Sequence, residues 1–189
     1  MKNWRKFLVF LGGMTALSCG AWAGAFEAEC TPFQGSFFSP LELYGAKTEV
    51  TGLRLTAVYG SNQKITGADI GICGVTEQAT GAQVGAVNVV KSNMAGSQVG
   101  CCNFVGSENP LQKSTAAGAQ LGWVNVSKAA FVGTQIGATN LSDNGFNGIQ
   151  FGVVNCVGES AAPAGCLQIG VLNFNKDGFL PFFVLFNYR

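Results

Sequence analysis

The stretch Gly148–Asn155, which reads GIQFGVVN, decides the fold because versions of it recur along most of the chain. Each version has the form Gly-x-Gln-Φ-Gly-x-x-Asn, in which Φ is an apolar residue. A unit that recurs at a regular spacing predicts a repeat architecture. The other copies are Gly81–Asn88 (GAQVGAVN), Gly96–Asn103 (GSQVGCCN), Gly118–Asn125 (GAQLGWVN), Gly133–Asn140 (GTQIGATN) and the shorter Gln168–Asn173 (QIGVLN).

The central glycine of each unit marks the length of the repeat. Successive central glycines are 14, 15, 22, 15, 15 and 18 residues apart, so the period is 15 residues with two insertions. Residues 107–113 and 159–164 fall in these insertions, and their proline-containing sequences predict loops. The central glycines are Gly71, Gly85, Gly100, Gly122, Gly137, Gly152 and Gly170.

A shorter period of five residues runs inside each unit. It fits neither an α-helix, which repeats every 3.6 residues, nor a flat strand, which repeats every two. It predicts a chain that turns a corner every five residues and points one apolar side chain inward on each of three sides. The sequence therefore predicts an all-β solenoid with about 15 residues per coil. The apolar series in the middle of the chain is Leu121, Val126, Phe131, Ile136, Leu141, Phe146, Phe151 and Cys156.

Stacked coils would place equivalent side chains about 4.8 Å apart, in ladders. Amides in a ladder donate and accept hydrogen bonds along the stack, so we interpret the repeated Gln and Asn residues as structural. Asp69 occupies the Gln position of its unit and is interpreted as a variant rung. The glycines are expected at corners or where backbones approach closely. The predicted ladders are Gln83, Gln98, Gln120, Gln135, Gln150, Gln168 and Asn88, Asn103, Asn125, Asn140, Asn155, Asn173.

An antiparallel β-barrel of the outer-membrane type is the alternative fold. Ile149, Phe151 and Val153 are apolar, and the residues between them are small or polar, which is typical of a barrel strand. The aromatic run 179–188 would then be a closing strand. The solenoid is favoured because a barrel does not explain the five-residue period.

The first 23 residues have the pattern of a secretory signal peptide. Three cations among residues 1–6 precede the short apolar segment 7–17, and Ala21-Trp22-Ala23 matches a small-x-small cleavage site. Lipoprotein processing at Cys19 is the alternative to cleavage after Ala23. Either route predicts export, to the outer membrane, the periplasm or the cell surface.

The rest of the chain divides into three predicted segments. Residues 24–49 are expected to cap the N-terminal end of the repeat domain, which spans 50–178. Residues 179–189 are expected to cap the other end, because an uncovered coil is a sheet edge that invites aggregation. An alternative role for this aromatic tail is docking to a membrane or a partner.

Composition argues against several classes of function. Only 11% of the residues are charged, which is unlike a nucleic-acid-binding protein, and the chain contains no histidine. No catalytic, cofactor-binding or metal-binding residue is predicted, because none of the acidic residues of the repeat region recurs in register with another one coil away. We therefore predict that the protein is not an enzyme. The acidic residues concerned are Asp69, Glu77, Glu108, Asp143, Glu159 and Asp177.

Six cysteines follow the predicted signal peptide, an even number that permits disulfides in an exported chain. Cys101, Cys102 and Cys156 occupy apolar positions of the repeat, where we expect cysteine to pack as a small hydrophobic residue. Cys73 and Cys102 fall in one column, two coils apart. That separation of about 9–10 Å exceeds what a disulfide spans, so this pair should not bridge.

Several blocks resemble an uncharacterised family of bacterial surface repeat-containing proteins with Gly-x-Gln-Φ-Gly-x-x-Asn units. Gly52-Leu53-Arg54-Leu55 and Tyr59-Gly60-Ser61-Asn62 are similar to the segments that precede the regular units in that family. Leu180-Pro181 and Asn187-Tyr188 are similar to its C-terminal ending, although Arg189 replaces the usual phenylalanine. The resemblance covers 41–189 and implies an envelope or surface location without an established activity.

Taken together, these features predict an exported, non-enzymatic envelope protein with a structural or partner-binding role. The expected partner is an unknown protein or envelope component, and a membrane is a further candidate. The alternative is an outer-membrane barrel, structural or pore-forming. An enzyme would instead require an exposed pair of carboxylates.

Overall fold

A computed structural model describes residues 28–38, 41–45, 47–107, 109, 111–158 and 165–189. The predicted signal peptide and the predicted loop 159–164 lie outside the described residues. Within those ranges the chain forms twelve strands and no helix. The strands are β1 Cys30–Phe38, β2 Leu41–Glu42, β3 Glu49–Val84, β4 Val87–Val90, β5 Met94–Val99, β6 Cys102–Val105, β7 Thr115–Leu121, β8 Val124–Ser127, β9 Ala130–Ser142, β10 Phe146–Val157, β11 Cys166–Asn175 and β12 Phe182–Tyr188.

Successive strands stack in parallel and in register, so the chain coils. β10 pairs with β9 on one side and β11 on the other, and Gln150 faces Gln135 and Gln168. Two parallel ladders form in this way, β3-β5-β7-β9-β10-β11 along one side and β3-β4-β6-β8-β9 along another. The structure confirms the predicted solenoid, with about nine turns of about 15 residues.

The alternative barrel is wrong. Among the described strands, antiparallel pairing is confined to β1 with β2 and β11 with β12. Every other pairing between the described strands is parallel. A barrel of the predicted type needs every neighbouring pair to be antiparallel and the sheet to be closed.

The five-residue period is present, but most of the apolar side chains that follow it point outward, contrary to the prediction. Ile136 is 43% exposed and Phe151 is 54% exposed, whereas Gln135 and Gln150 beside them are fully buried. Neighbouring residues of a strand point to opposite faces, so only one of each pair can lie inside. The amides lie inside because the ladder satisfies their hydrogen bonds, which removes the main cost of burying them.

The apolar side chains of the five-residue series point inward, as predicted, in only one part of the coil. Phe131 and Phe146 are buried, pair in register and stack with ring centroids 5.6 Å apart. Val90 and Val105 end the short strands β4 and β6, and Val157 ends β10. Together they form the apolar core, whose members are Ala79, Val90, Met94, Val105, Ala116, Ala129, Phe131, Phe146, Val157 and Cys166.

Glycine sets how closely the coils approach at the first position of each unit. Gly133 has φ 141°, and a Cβ atom there would lie 1.9 Å from the carbonyl oxygen of Gly118. No L-residue fits such a distance, and positive φ further disfavours one. The glycines that share this geometry in the regular units are Gly81, Gly96, Gly118, Gly133 and Gly148.

Candidate functional site

One part of the solenoid interior is a glutamine ladder in which every side-chain hydrogen bond points the same way. Gln135 donates from Nε2 to Oε1 of Gln120, and Gln150 donates in the same way to Gln135, each over 2.7 Å. Every rung from Gln98 to Gln168 therefore donates toward the N-terminal end. All these amides are buried and form the predicted ladder, although Oε1 of Gln168 at its C-terminal end has no hydrogen-bond partner among the described residues.

The asparagine ladder runs in the opposite direction. Asn125 donates from Nδ2 to Oδ1 of Asn140 over 2.8 Å, and Asn140 donates to Asn155. The second amide hydrogen of each rung binds a backbone carbonyl, such as that of Ile136 for Asn125. The dipoles of the two ladders therefore oppose each other along the axis of the stack.

A buried ion pair replaces two rungs at the N-terminal end of the glutamine ladder. Arg54 donates from Nε to Oδ1 of Asp69 over 2.7 Å, and its Nη2 donates to Oδ2, in a bidentate pair whose side chains are 0% and 2% exposed. Gln83 donates from Nε2 to Oδ2 of Asp69 over 3.0 Å. Asp69 is thus the variant rung that the sequence predicted, and its partner Arg54 was not predicted.

The guanidinium of Arg54 fills the space that an asparagine occupies in later coils. Gly74 faces Asn88 in the register, and a Cβ atom at Gly74 would lie 2.5 Å from Oδ2 of Asp69. Nη1 of Arg54 donates to Oδ1 of Asn62 and to the carbonyl oxygen of Val75. The pair is enclosed on all sides, so a substrate has no access to the Asp69 carboxylate.

Five surface charges of the repeat domain lie at one corner of the coil, which we call the charged corner. The backbone nitrogens of Lys91, Lys128, Asp143 and Lys176 bond to carbonyl oxygens of the preceding coil at equivalent positions. The insertion after Val105 leaves the coil at this same corner. The charged corner consists of Glu77, Lys91, Lys128, Asp143 and Lys176.

An open cleft of about 580 Å³ lies beside the N-terminal part of the charged corner. Its charged lining alternates in sign, and Lys64 donates to Oε2 of Glu49 over 3.2 Å at a position where both side chains are nearly half exposed. Two carboxylates, those of Glu49 and Glu77, line the cleft, and Glu49 is paired with Lys64.

The most unusual surface is a column of large apolar side chains that point outward from the long sides of the coils. Their exposures range from 37% at Ile169 to 54% at Phe151. Phe186 in β12 pairs with Ile169 and adds a further rung. We call this the central column, which consists of Leu55, Ile70, Val84, Val99, Leu121, Ile136, Phe151, Ile169 and Phe186.

Two more outward columns flank the central column and contain no charged side chain. In the first column the side chains of the middle coils are small. In the second column Trp123 is the most exposed of the large apolar side chains, at 71%. The three columns together are called the apolar side. The flanking columns are Leu53, Ala68, Ala82, Ser97, Ala119, Thr134, Ile149, Leu167 and Ile72, Ala86, Cys101, Trp123, Ala138, Val153, Val171.

The C-terminal end of the solenoid is also apolar. Every side chain of β12 is exposed except that of Asn187, which donates from Nδ2 to the carbonyl oxygen of Leu180. Phe179 stacks on Tyr188 with ring centroids 5.4 Å apart. The apolar side therefore continues onto the end of the stack without interruption by a charge.

The cysteines differ in environment more than the repeat pattern predicts. Cys101 and Cys102 are exposed, so the prediction that they pack as interior hydrophobic residues is wrong, and Cys156 is half-buried. Cys73 and Cys102 share a column with Val87 between them. Burial raises the pKa of Cys166 to about 12, which keeps this thiol protonated.

The pKa values of two other thiols are raised mainly by partial burial. The carboxylate of Asp69 raises the pKa of Cys73 further, and the guanidinium of Arg54 opposes this effect. The carboxylate of Asp143 likewise adds to the rise in the pKa of Cys156. Neither thiol has the lowered pKa of a nucleophilic cysteine.

The remaining acidic residues that were named in the sequence and that the structure describes do not converge. Glu77 and Asp143 lie at the charged corner, and Asp177 pairs with Arg189 over 3.1 Å. Glu108 and Glu159 lie outside the described residues. Among the residues described, no group of three or more Cys, Asp or Glu is placed to hold a metal ion.

Comparison of the chain with protein-family models, with curated proteins and with solved structures gave no match. The resemblance to surface repeat-containing proteins therefore stays a prediction. No helix in the described part of the chain is long and apolar enough to cross a membrane. The candidate functional site rests on geometry alone, and the apolar side is its strongest feature.

Proposed function

We propose that the protein is an exported, non-enzymatic repeat protein of the bacterial envelope or surface, whose rigid solenoid presents the apolar side to a partner. The observation that carries the binding role is the central column, which stays large and apolar in every coil from Leu55 to Ile169. A soluble monomer rarely exposes an apolar patch of more than a few hundred Å². A surface of this kind is typical of an interaction site.

The absence of an enzymatic role is part of the same proposal. The interior amides are paired within the ladders, and the buried carboxylate of Asp69 is held by Arg54 and Gln83. Glu77 and Asp143 lie at the charged corner with lysines, Glu49 pairs with Lys64, and Asp177 pairs with Arg189. These arrangements favour stability and solubility over catalysis.

Export is supported by the sequence of residues 1–23. The test is to express the chain with its leader in a bacterium, separate cytoplasm, periplasm and membranes, and measure the mass of the recovered protein. We expect an envelope fraction containing a chain that begins at Gly24. A full-length chain that remains in the cytoplasm would contradict the proposal.

The variant Cys19→Ser separates the two processing routes. If cleavage follows Ala23, this substitution leaves the mass and the location of the mature protein unchanged. If Cys19 is lipidated, the wild-type protein carries extra lipid mass and the variant loses it. Both results are consistent with export, and they assign the protein to the soluble or the membrane-anchored class.

A further inference from the structure

We infer that the partner of the apolar side is a second copy of this chain, packed face to face through the central columns. The inference rests on the binding role proposed above and specifies its occupant. The central column supplies a ridge of large side chains. Beside it, Ala82, Ser97 and Ala119 form a shallow groove that can receive the ridge of the other copy.

The size of the apolar side matches the requirement of a stable dimer. Eight coils at about 4.8 Å and three columns of alternate residues give a face on the order of 35 Å by 15–20 Å. This corresponds to roughly 600 Å² per copy, at the lower end of standard protein interfaces. Two β-sheets pack in this way at a separation of about 10 Å.

The repeat spacing of the apolar side also favours a second copy. The central column presents one ridge side chain per coil, from Val84 through Val99 and Leu121 onward. A partner packs evenly against it only if its own side chains follow the same spacing of about 4.8 Å. Another copy has that spacing by identity, and a two-fold axis gives both copies the same contacts.

The distribution of charge disfavours a lipid surface as the occupant. Proteins that lie on membranes combine an apolar face with lysines and arginines beside it, which bind anionic headgroups. Here Lys91, Lys128 and Lys176 lie at the charged corner, and Glu77 and Asp143 lie among them. The described cation at the end of the apolar side is Arg189, which follows Tyr188, and its guanidinium is paired with Asp177.

The experiment measures the mass of the purified protein by sedimentation velocity over a wide range of concentration. We expect a reversible dimer for the wild type. Leu121→Lys places two lysines in the centre of the interface, and we expect it to weaken dimerisation about 100-fold or more. The matched control is Leu111→Lys, because Leu111 is 90% exposed in the loop between β6 and β7. We expect the control to dimerise like the wild type.

Two further measurements distinguish loss of the interface from loss of the fold. Circular dichroism must show unchanged β structure in Leu121→Lys, whose side chain points outward. In the wild type, thiol labelling of Cys101 on the apolar side should slow as the protein concentration rises. Labelling of Cys30, which is exposed and faces Glu49 in the register, should stay constant.

Three results would overturn the inference. A wild-type monomer that binds uncharged phosphatidylcholine vesicles would make lipid the occupant. A monomer that binds no vesicles would point to a different protein. A dimer that persists in Leu121→Lys would place the interface elsewhere. None of these results bears on export, which the fractionation experiment tests separately.

Discussion

At the scale of single residues, the Arg54–Asp69 pair is the least regular part of the interior. The two residues occupy consecutive rungs of the column that otherwise holds Gln34, Gln83 and the later glutamines. Both charges are removed from water, so each depends on the other and on the hydrogen bonds around them. Loss of one partner leaves an uncompensated buried charge, which is far more costly than loss of both.

We predict that Asp69→Gln lowers the free energy of unfolding by about 3–5 kcal/mol, because Arg54 then lacks its counter-ion. The double variant Arg54→Gln/Asp69→Gln should be more stable than either single variant, since it restores a continuous amide ladder. Urea unfolding followed by circular dichroism measures all three.

The control for this cycle is the exposed pair of Lys64 and Glu49. Glu49→Gln should change the free energy of unfolding by less than about 1 kcal/mol, because solvent screens the pair. If Asp69→Gln lowered the free energy of unfolding no more than Glu49→Gln does, the buried ion pair would not have the structural role that we assign to it.

At the scale of the coil, glycine and the amides together determine the stacking distance. The sequence predicted the period, the coils and both ladders, because Gln, Asn and Gly recur at fixed positions. It did not predict which face of the strand lies inside. Amide and apolar residues stand next to each other, as at Gln135 and Ile136. The period of the pattern is the same whichever of the two side chains points inward.

The same ambiguity explains why the candidate site was missed in the sequence. A regular apolar series such as Leu121, Ile136 and Phe151 is expected in a core, so it was interpreted as one. The signal that could have revealed the apolar side is the clustering of charges. In the regular units from Gly81 onward, lysines and acids avoid the positions around the Gln-Φ pair and appear only after the second strand segment of a coil or in the insertions.

Close packing of coils at the first glycine leads to a prediction at this scale. Gly133→Ala should destabilise the protein strongly, by about 3 kcal/mol or more, because the new Cβ would collide with the backbone of Gly118 and φ is positive. Gly165→Ala is the control, since the nearest atom to its Cβ would be 3.9 Å away. Thermal unfolding compares them. Equal melting temperatures for the two variants would contradict the stacking geometry.

At the scale of the whole molecule, the solenoid has many polar amides in its interior and an apolar side on its surface. Amides fill the part of the interior that lies behind the apolar side, and the apolar core lies nearer the charged corner. Outside, the five residues of the charged corner lie apart from the apolar side. This separation follows from the repeat, because every coil places the same residue types at the same positions. It gives the molecule one charged region and one apolar side.

The measurement that tests this account most directly compares Gln135→Leu with Ile136→Lys by urea unfolding at low protein concentration. We expect the free energy of unfolding of Gln135→Leu to fall by about 2–4 kcal/mol, because Oε1 of Gln120 and Nε2 of Gln150 lose their partner inside the stack. Ile136→Lys should change the free energy of unfolding by less than about 1 kcal/mol, because its side chain points outward. The reverse order, with a stable leucine variant and an unfolded lysine variant, would contradict the account.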